Sequence, residues 1–150
     1  MLESEYLPLV QKYKRKVCVW SLLGGGLLAE SPLGKIERRN SLFEIRQHKQ
    51  FPTDPEELEG IQKGIKQIAK DLNCTMAEFS IAWGLKHPDI STAIMGWKKP
   101  VEIDEGLQAI NKIPMITNEV EQKVNSILNN RPKGELNWKT MEVSFEDKRG

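Results

Sequence analysis

The residues with the clearest chemical potential are the consecutive glycines Gly24, Gly25 and Gly26, which closely follow a short apolar run. That run, Val17–Trp20, is rich in β-branched residues and predicts a buried strand. At the carboxyl end of a strand, a glycine-rich backbone lets a phosphate approach exposed N–H groups. The spacing matches neither common phosphate-binding glycine pattern, so an ordinary turn with positive φ angles is an open alternative.

A similar arrangement of strand, glycine and helix occurs later in the chain. Residues 90–95 predict a second short buried strand, Gly96 follows it, and Pro100 begins a helix. The dipole at the start of that helix and the basic pair Lys98 and Lys99 both favour an anion. By themselves, the two lysines would indicate only a solvent-exposed basic pair.

The cysteines and histidines do not form a metal-binding pattern. Cys18 lies inside the first predicted strand and Cys74 at a helix boundary, and neither has metal-ligand spacing to His48 or His87. We therefore expect reduced, structural cysteines and no metal site.

Two amphipathic helices connect the predicted strands. The first is predicted over residues 55–73, with Asp54 as its N-cap, and the second over residues 76–86, with Thr75 and Glu78 as a capping box. Their buried stripes are predicted to be Leu58, Ile61, Ile65, Ile68 and Leu72 in the first and Phe79, Ala82 and Trp83 in the second. Because parallel strands require such a crossover, we predict a parallel pair with both glycine segments at the same end.

Further amphipathic helices are predicted around this unit. They cover residues 3–14, the stretch from Pro100 towards Pro114, and residues 117–129. Their apolar positions are Tyr6, Leu9, Val10 and Tyr13 in the first, Ile103, Leu107 and Ile110 in the second, and Val120, Val124, Ile127 and Leu128 in the third. We predict one α/β domain over residues 1–132 and a polar C-terminal tail over residues 133–150.

Length and composition are those of one ordinary globular domain. The chain has 150 residues, of which 39% are hydrophobic and 29% charged, and its net charge is +1. A charge so close to zero gives no field to attract nucleic acid or an anionic membrane. No apolar run of about eighteen residues and no leader pattern occurs, so we expect no membrane insertion and a cytoplasmic location.

Two segments resemble signatures of a known family. The order Trp-Ser-(Pro)-Leu-x-x-Gly-x-Leu, which begins at Trp20, is similar to the aldo-keto reductase segment after the seventh barrel strand. Residues 96–106 are similar, without a gap, to that family's Gly-Ser/Ala-Ser-x-x-x-Gln-Leu-x-Glu-Asn. The closest resemblance is to the β-subunits of voltage-gated potassium channels. It extends over about residues 17–132 and implies the C-terminal part of a (β/α)₈ TIM barrel, with about two parallel strands and flanking helices.

The resemblance also implies a site for NADP(H). In the family, the glycine loop and the long loop after it hold the pyrophosphate, and the segment after the second strand holds the adenosine 2′-phosphate and the adenine. The implied cofactor-binding residues are Trp20, Ser21, Leu22, Leu23, Gly24, Gly25, Lys35, Arg39, Gly96, Lys98, Glu102 and Glu105. Lys98 falls at the position of the family's phosphate-binding Ser or Lys, and Lys35 and Arg39 are candidates for charge-assisted phosphate contacts.

Several positions depart from the family pattern. Leu22 replaces a proline, Ser31 stands at the position of a lysine, Glu102 replaces a glutamine and Gly106 an asparagine. A carboxylate beside a 2′-phosphate is repulsive unless a neighbouring lysine neutralises it. The family's catalytic Asp, Tyr, Lys and His belong to earlier strands, so no catalytic residue carries over to this chain.

The resemblance therefore implies one of two functions. The first is the NADP(H)-binding part of an aldo-keto reductase-like oxidoreductase, which acts on carbonyls and alcohols in complete relatives. The second is a non-enzymatic regulatory or interaction protein of the potassium channel β-subunit type, with an ion-channel partner. An incomplete barrel leaves strand edges unpaired, so we expect self-association or a partner that completes the barrel.

Overall fold

The computed structural model describes residues 6–29, 55–97 and 99–130, together with the backbone of residues 136–137 and 142–143. The elements in chain order are α1 (Leu7–Lys12), β1 (Val17–Trp20), a 3-10 turn (Gly24–Gly26), α2 (Pro55–Asp71), α3 (Met76–Leu85), β2 (Ile90–Ile94), α4 (Pro100–Gln108), a 3-10 segment (Ala109–Met115) and α5 (Asn118–Leu128). In the predicted tail, β3 (Leu136–Asn137) and β4 (Glu142–Val143) form a separate antiparallel pair.

The parallel pairing of the first two strands is confirmed. β1 lies beside β2, α2 and α3 occur in the connection between them, and Trp20 is in register with Ile94. The register shifts near the start of the pair, where the hydroxyl of Ser91 donates a hydrogen bond to the Val17 carbonyl at 3.4 Å. Because both strands run in the same direction, Gly24 and Gly96 follow them at the same edge.

The prediction that both strands are buried is wrong for one face of the sheet. Successive side chains of a strand point to opposite faces. Cys18 and Trp20 of β1 are exposed, as are their register partners Thr92 and Ile94 of β2. The alternate residues are half-buried, and α3 packs against β2. Within the described part of the chain, only one face of the sheet is therefore covered.

The hydrophobic core forms where the apolar stripes of α2, α3 and α5 meet. It contains the predicted residues Ile61, Ile65, Ile68, Phe79, Ala82, Val120 and Val124, with Leu72, Trp83, Ile127 and Leu128 packed at its border. Ile116, which follows the 3-10 segment, is fully buried in the same cluster. The stripes predicted for these three helices are confirmed except at Leu58, which is half-buried and lies outside this cluster.

The capping box at the start of α3 is also confirmed. The Thr75 hydroxyl accepts a hydrogen bond from the N–H of Glu78 at 3.0 Å, and the Thr75 N–H donates to the Glu78 carboxylate at 2.8 Å. These bonds satisfy two backbone donors and define the helix start. At α5, Thr117 caps the first turn and Asn129 ends the helix in a left-handed conformation. Asp54, the predicted cap of α2, lies outside the described residues.

Two other predicted helices bury less than their periodicity suggested. The helix predicted over residues 3–14 covers only Leu7–Lys12 in the structure. Its apolar residues Tyr6, Leu9 and Tyr13 are all more than half exposed. α4 ends at Gln108, and its continuation is a 3-10 segment that contains Pro114. Its apolar stripe, Ile103, Leu107 and Ile110, is exposed. No helix in the described ranges is both long and apolar enough to cross a bilayer.

Candidate functional site

The glycine segment after β1 forms a tight turn with unusual backbone angles. Gly24, Gly25 and Gly26 all have positive φ, at 56°, 68° and 99°, and Ser21 precedes them at 64°. A glycine has no Cβ to oppose these angles, whereas other residues adopt them at a cost. The run of glycines is therefore required by the turn itself.

The turn uses some of its own N–H groups and leaves others available. The N–H of Gly24 donates to the Ser21 carbonyl at 2.9 Å, and the N–H groups of Gly26 and Leu28 donate to the Leu23 carbonyl at 3.0 and 3.1 Å. No other described residue accepts a hydrogen bond from the N–H of Leu23 or Gly25. In this conformation, Leu23 and Gly25 are thus better placed to donate to an anion than Gly24.

Contacts with two helices hold the turn in place. The amide of Gln62 on α2 donates to the Leu27 carbonyl at 2.5 Å, and Leu27 is itself buried. Leu22 packs on α3 at Gly84, where an added Cβ would lie 2.7 Å from the Leu22 Cδ2. Leu22, which departs from the family pattern, is thus part of the packing between the turn and α3. Neither Gln62 nor Gly84 carries a local signal that could have identified this role.

The segment after β2 leads through Gly96 and Trp97 into α4. The Glu102 carboxylate accepts a hydrogen bond from the Lys99 N–H at 3.2 Å, so an acidic side chain already lies at the start of α4. A negative charge there is favourable because the positive end of the helix dipole attracts it. The same negative charge would repel a phosphate at this point.

The Glu105 side chain links α4 to the start of α3. Its carboxylate accepts a hydrogen bond from the Thr75 hydroxyl at 2.5 Å, and that hydroxyl also accepts from the Glu78 N–H. The Thr75 hydroxyl therefore acts as both a donor and an acceptor. Glu105 thus has a structural partner at the position where we predicted a contact to the adenosine end of the cofactor.

Trp97 packs against Gly106 on the second turn of α4. A Cβ at Gly106 would overlap the Cη2 and Cζ2 atoms of the indole. The absence of a side chain at this position therefore makes room for the tryptophan. The sequence interpretation missed this pair, because the two residues are separated in the chain and only the departure at Gly106 drew attention.

Two groups in the helical layer have shifted pKa values. Burial, reinforced by the nearby Glu78 carboxylate, raises the pKa of the Cys74 thiol, while Lys112 opposes the shift. The thiol contacts the Ala69 carbonyl at 3.4 Å, which fits the predicted structural role. On the surface of α2, the hydrogen bond and charge of Lys63 lower the pKa of Glu59.

The structure brings most of the predicted site residues to one edge of the sheet. Trp20, Ser21, Leu22, Leu23, Gly24 and Gly25 lie at the end of β1, and Gly96, Glu102 and Glu105 lie in or after the segment that follows β2. Lys35, Arg39 and Lys98 lie outside the described residues. Cofactor binding by these residues stays a prediction.

Comparison with known proteins identifies the family. The sequence profile of the Aldo/keto reductase family matches residues 1–129. A relative from Oryza sativa subsp. japonica, named as a probable voltage-gated potassium channel subunit beta, is 32% identical over 138 residues, which cover 88% of this chain and 41% of that protein. A relative of the same name from Arabidopsis thaliana is 29% identical over 138 residues, with the same coverage of 88% and 41%.

A solved structure confirms the fold class. The aldo-keto reductase AKR11C1 from Bacillus halodurans, in its holo form, superposes with a TM-score of 0.59 and 20% identity. The match covers 82% of this chain and 37% of that chain. The present chain thus spans about two fifths of the length of these proteins. Its two parallel strands with flanking helices are part of a (β/α)₈ barrel fold, and the chain belongs to the aldo-keto reductase family.

Proposed function

We propose that this chain binds a nicotinamide dinucleotide, NADP(H), as the cofactor-binding part of an aldo-keto reductase-like oxidoreductase. The observation that carries the proposal is the parallel pairing of β1 and β2. It brings the glycine turn and the segment starting at Gly96 to one edge of the sheet. Ligands of α/β proteins bind at the carboxyl ends of parallel strands, where loops converge and the strands position them.

The turn after β1 suits the pyrophosphate. In this turn, the N–H groups of Leu23 and Gly25 have no acceptor among the described residues. Backbone N–H groups without an internal acceptor in a turn at the end of a strand are suitable donors to an anion. Because Gln62 and Gly84 hold the turn from α2 and α3, its donors are positioned before a ligand arrives. Arg39 and Lys35 are proposed to add positive charge.

The segment after β2 is proposed to bind the adenosine end, with Lys98 at the 2′-phosphate. The carboxylate of Glu102 opposes that phosphate, so Lys98 must supply the preference for NADPH over NADH. Loss of one charged phosphate contact costs about 1.5–3 kcal/mol, or roughly a ten- to a hundredfold loss in affinity. We expect Lys98→Glu to weaken NADPH binding by at least this factor and to leave NADH binding nearly unchanged.

Calorimetric titration of NADPH and NADH against wild type and Lys98→Glu tests this assignment. Lys123→Glu is the matched control, since it makes the same charge change on an exposed position of α5. Equal affinity of wild type for the two cofactors, or a Lys98→Glu protein that still prefers NADPH, would remove the 2′-phosphate assignment. No measurable binding of either cofactor would contradict the proposed function.

Carbonyl reduction by the 150-residue chain alone is not expected. A bound dinucleotide supplies the hydride, but the carbonyl oxygen also needs a positioned proton donor. The family's catalytic residues belong to strands before those present here. We expect purified chain and NADPH to reduce a test aldehyde no faster than the solution without protein, measured by absorbance at the nicotinamide band. A rate above that background would show that this chain carries its own proton donor.

The second candidate function is a regulatory or interaction protein of the channel β-subunit type. The observation that favours it is the apolar surface exposed by α4, by the 3-10 segment after it and by the sheet, which includes Leu107, Ile110 and Ile94. The names of the plant relatives also indicate a channel subunit. Failure of both cofactors to bind, together with stable association of the chain with another protein, would favour this function over the first.

A further inference from the structure

Trp97 is the aromatic side chain closest in sequence to Gly96, the glycine that follows β2. It follows Gly96 directly at the carboxyl edge of the sheet, and its side chain is only partly buried. The six-membered ring of the indole lies against Gly106, where any Cβ would overlap it. The ring is therefore supported by the backbone of α4 while part of its surface stays accessible.

Two acidic side chains of α4, Glu102 and Glu105, already have hydrogen-bond partners within the protein. The Glu105 carboxylate accepts from the Thr75 hydroxyl at 2.5 Å, and the Glu102 carboxylate accepts from the Lys99 N–H at 3.2 Å. In each of these carboxylates, one oxygen is therefore engaged by the protein itself. A stacked base needs no hydrogen bond to either carboxylate, because stacking uses the π-face of the ring alone.

We propose that the Trp97 indole is the platform on which the adenine base of the dinucleotide stacks. This inference rests on the proposed function and adds the means by which the adenosine end is held. Gly106 is a positioning residue, since it sets where the indole lies. The platform recognises the planar base and not the nicotinamide or the phosphates.

If the indole stacks on adenine, its removal should affect the binding of two ligands differently. Stacking of a base on an aromatic side chain corresponds to about a fivefold to a hundredfold gain in affinity. Trp97→Ala should weaken the binding of NADPH by that factor. It should leave the affinity for nicotinamide mononucleotide unchanged, because that ligand has no adenine. Trp97→Phe retains a ring and should bind NADPH better than Trp97→Ala. Val101→Ala, a small change at an exposed position of α4, is the control and should bind as wild type.

A second variant tests the platform without removing the tryptophan. Gly106→Ala places a methyl group where the indole lies and should displace the ring, so NADPH binding should weaken while that of nicotinamide mononucleotide does not. In a Trp97→Ala background, the same Gly106→Ala change should have little further effect on NADPH affinity, because the ring that it displaces is absent. All titrations use calorimetry on the full chain, and thermal unfolding verifies that each variant is folded.

The outcomes separate this inference from the one on which it rests. NADPH affinity that is equal in wild type and Trp97→Ala overturns the platform but leaves the proposed function intact. Tighter binding by Trp97→Ala also overturns it, since the indole would then cover the base site. An equal loss for NADPH and nicotinamide mononucleotide would assign Trp97 a general structural role instead. If wild type binds neither NADPH nor NADH, both proposals fail.

Discussion

At the scale of single residues, two helical glycines are explained by the side chain that faces each of them. Gly84 and Gly106 lie in helices, where glycine is normally unfavourable. Each faces a large side chain, Leu22 at the first and Trp97 at the second, at a distance that leaves no room for a Cβ. Both large residues come from segments that follow a strand at the candidate site. Helix stability is therefore reduced locally to let these segments pack closely.

The pair formed by Leu22 and Gly84 gives a test at this scale. Gly84→Ala would place a Cβ 2.7 Å from the Leu22 Cδ2. Overpacking of this kind costs about 1–3 kcal/mol, so we expect the free energy of unfolding in urea to fall by that amount despite the better helix propensity of alanine.

Two further variants control this test. Gly60→Ala, at an exposed position of α2 with no atom within 4 Å of the added Cβ, should stabilise the protein by about 0.5–1 kcal/mol. Adding Leu22→Ala to Gly84→Ala should relieve the overlap, so that the two changes are less harmful together than their sum. Strictly additive effects would show that the contact carries no strain.

At the scale of elements, helices with similar patterns differ in what they bury. α2, α3 and α5 place their apolar stripes in a common core around Phe79. α1 and α4 have stripes of the same spacing, but Leu9 and Leu107 are among the exposed residues. The segment after α4 nevertheless contributes to the core, because the chain turns at Ile116 and buries that side chain completely.

Two isoleucines, one within the 3-10 segment and one directly after it, should therefore differ in their contribution to stability. Ile116 is 0% exposed, whereas Ile110 is 54% exposed. Truncation of a buried isoleucine to alanine costs about 2–5 kcal/mol, and an exposed substitution changes stability by about 0.5 kcal/mol or less. We expect Ile116→Ala to lower the free energy of unfolding by the larger amount and Ile110→Ala by the smaller. Similar losses from both variants would mean that another surface covers Ile110 in solution.

At the scale of the whole molecule, the parallel sheet is incomplete within the described residues. It has two strands, and one face exposes Trp20 and Ile94 at 57% and 61%. Parallel sheets are normally covered on both faces, and unpaired strand edges bind other strands. The relatives are more than twice as long as this chain, which gives them further elements to cover such a face.

We therefore expect the isolated chain to self-associate through this sheet face. Sedimentation velocity over a range of concentrations should show association of wild type, and Ile94→Lys should reduce it, because a charge in an apolar interface must lose its hydration. Ser126→Lys adds the same charge at an exposed position of α5 and should associate like wild type. A chain that stays monomeric at every concentration contradicts this prediction, and equal association of both lysine variants places the interface elsewhere.

The local sequence was sufficient to predict most of the secondary structure and the order of the fold. Strand β1, the capping box at Thr75 and the core stripes of α2, α3 and α5 depend on residues close together in the chain. The parallel direction of β1 and β2 followed from the helices between them, since only a crossover of that length allows it. The family signatures then located the candidate site at the ends of both strands.

Only the tertiary structure decided which apolar stripes are covered and which side chains meet at the site. Periodicity shows that residues share one side of a helix, but it cannot show whether another element packs there. The stripe of α4 and one face of each strand were therefore predicted to be buried, but they are exposed. The contacts of Leu22 with Gly84, Thr75 with Glu105, and Gln62 with Leu27 join residues that are distant in the chain. Such contacts depend on how the elements pack in three dimensions, and no local pattern of residues encodes them.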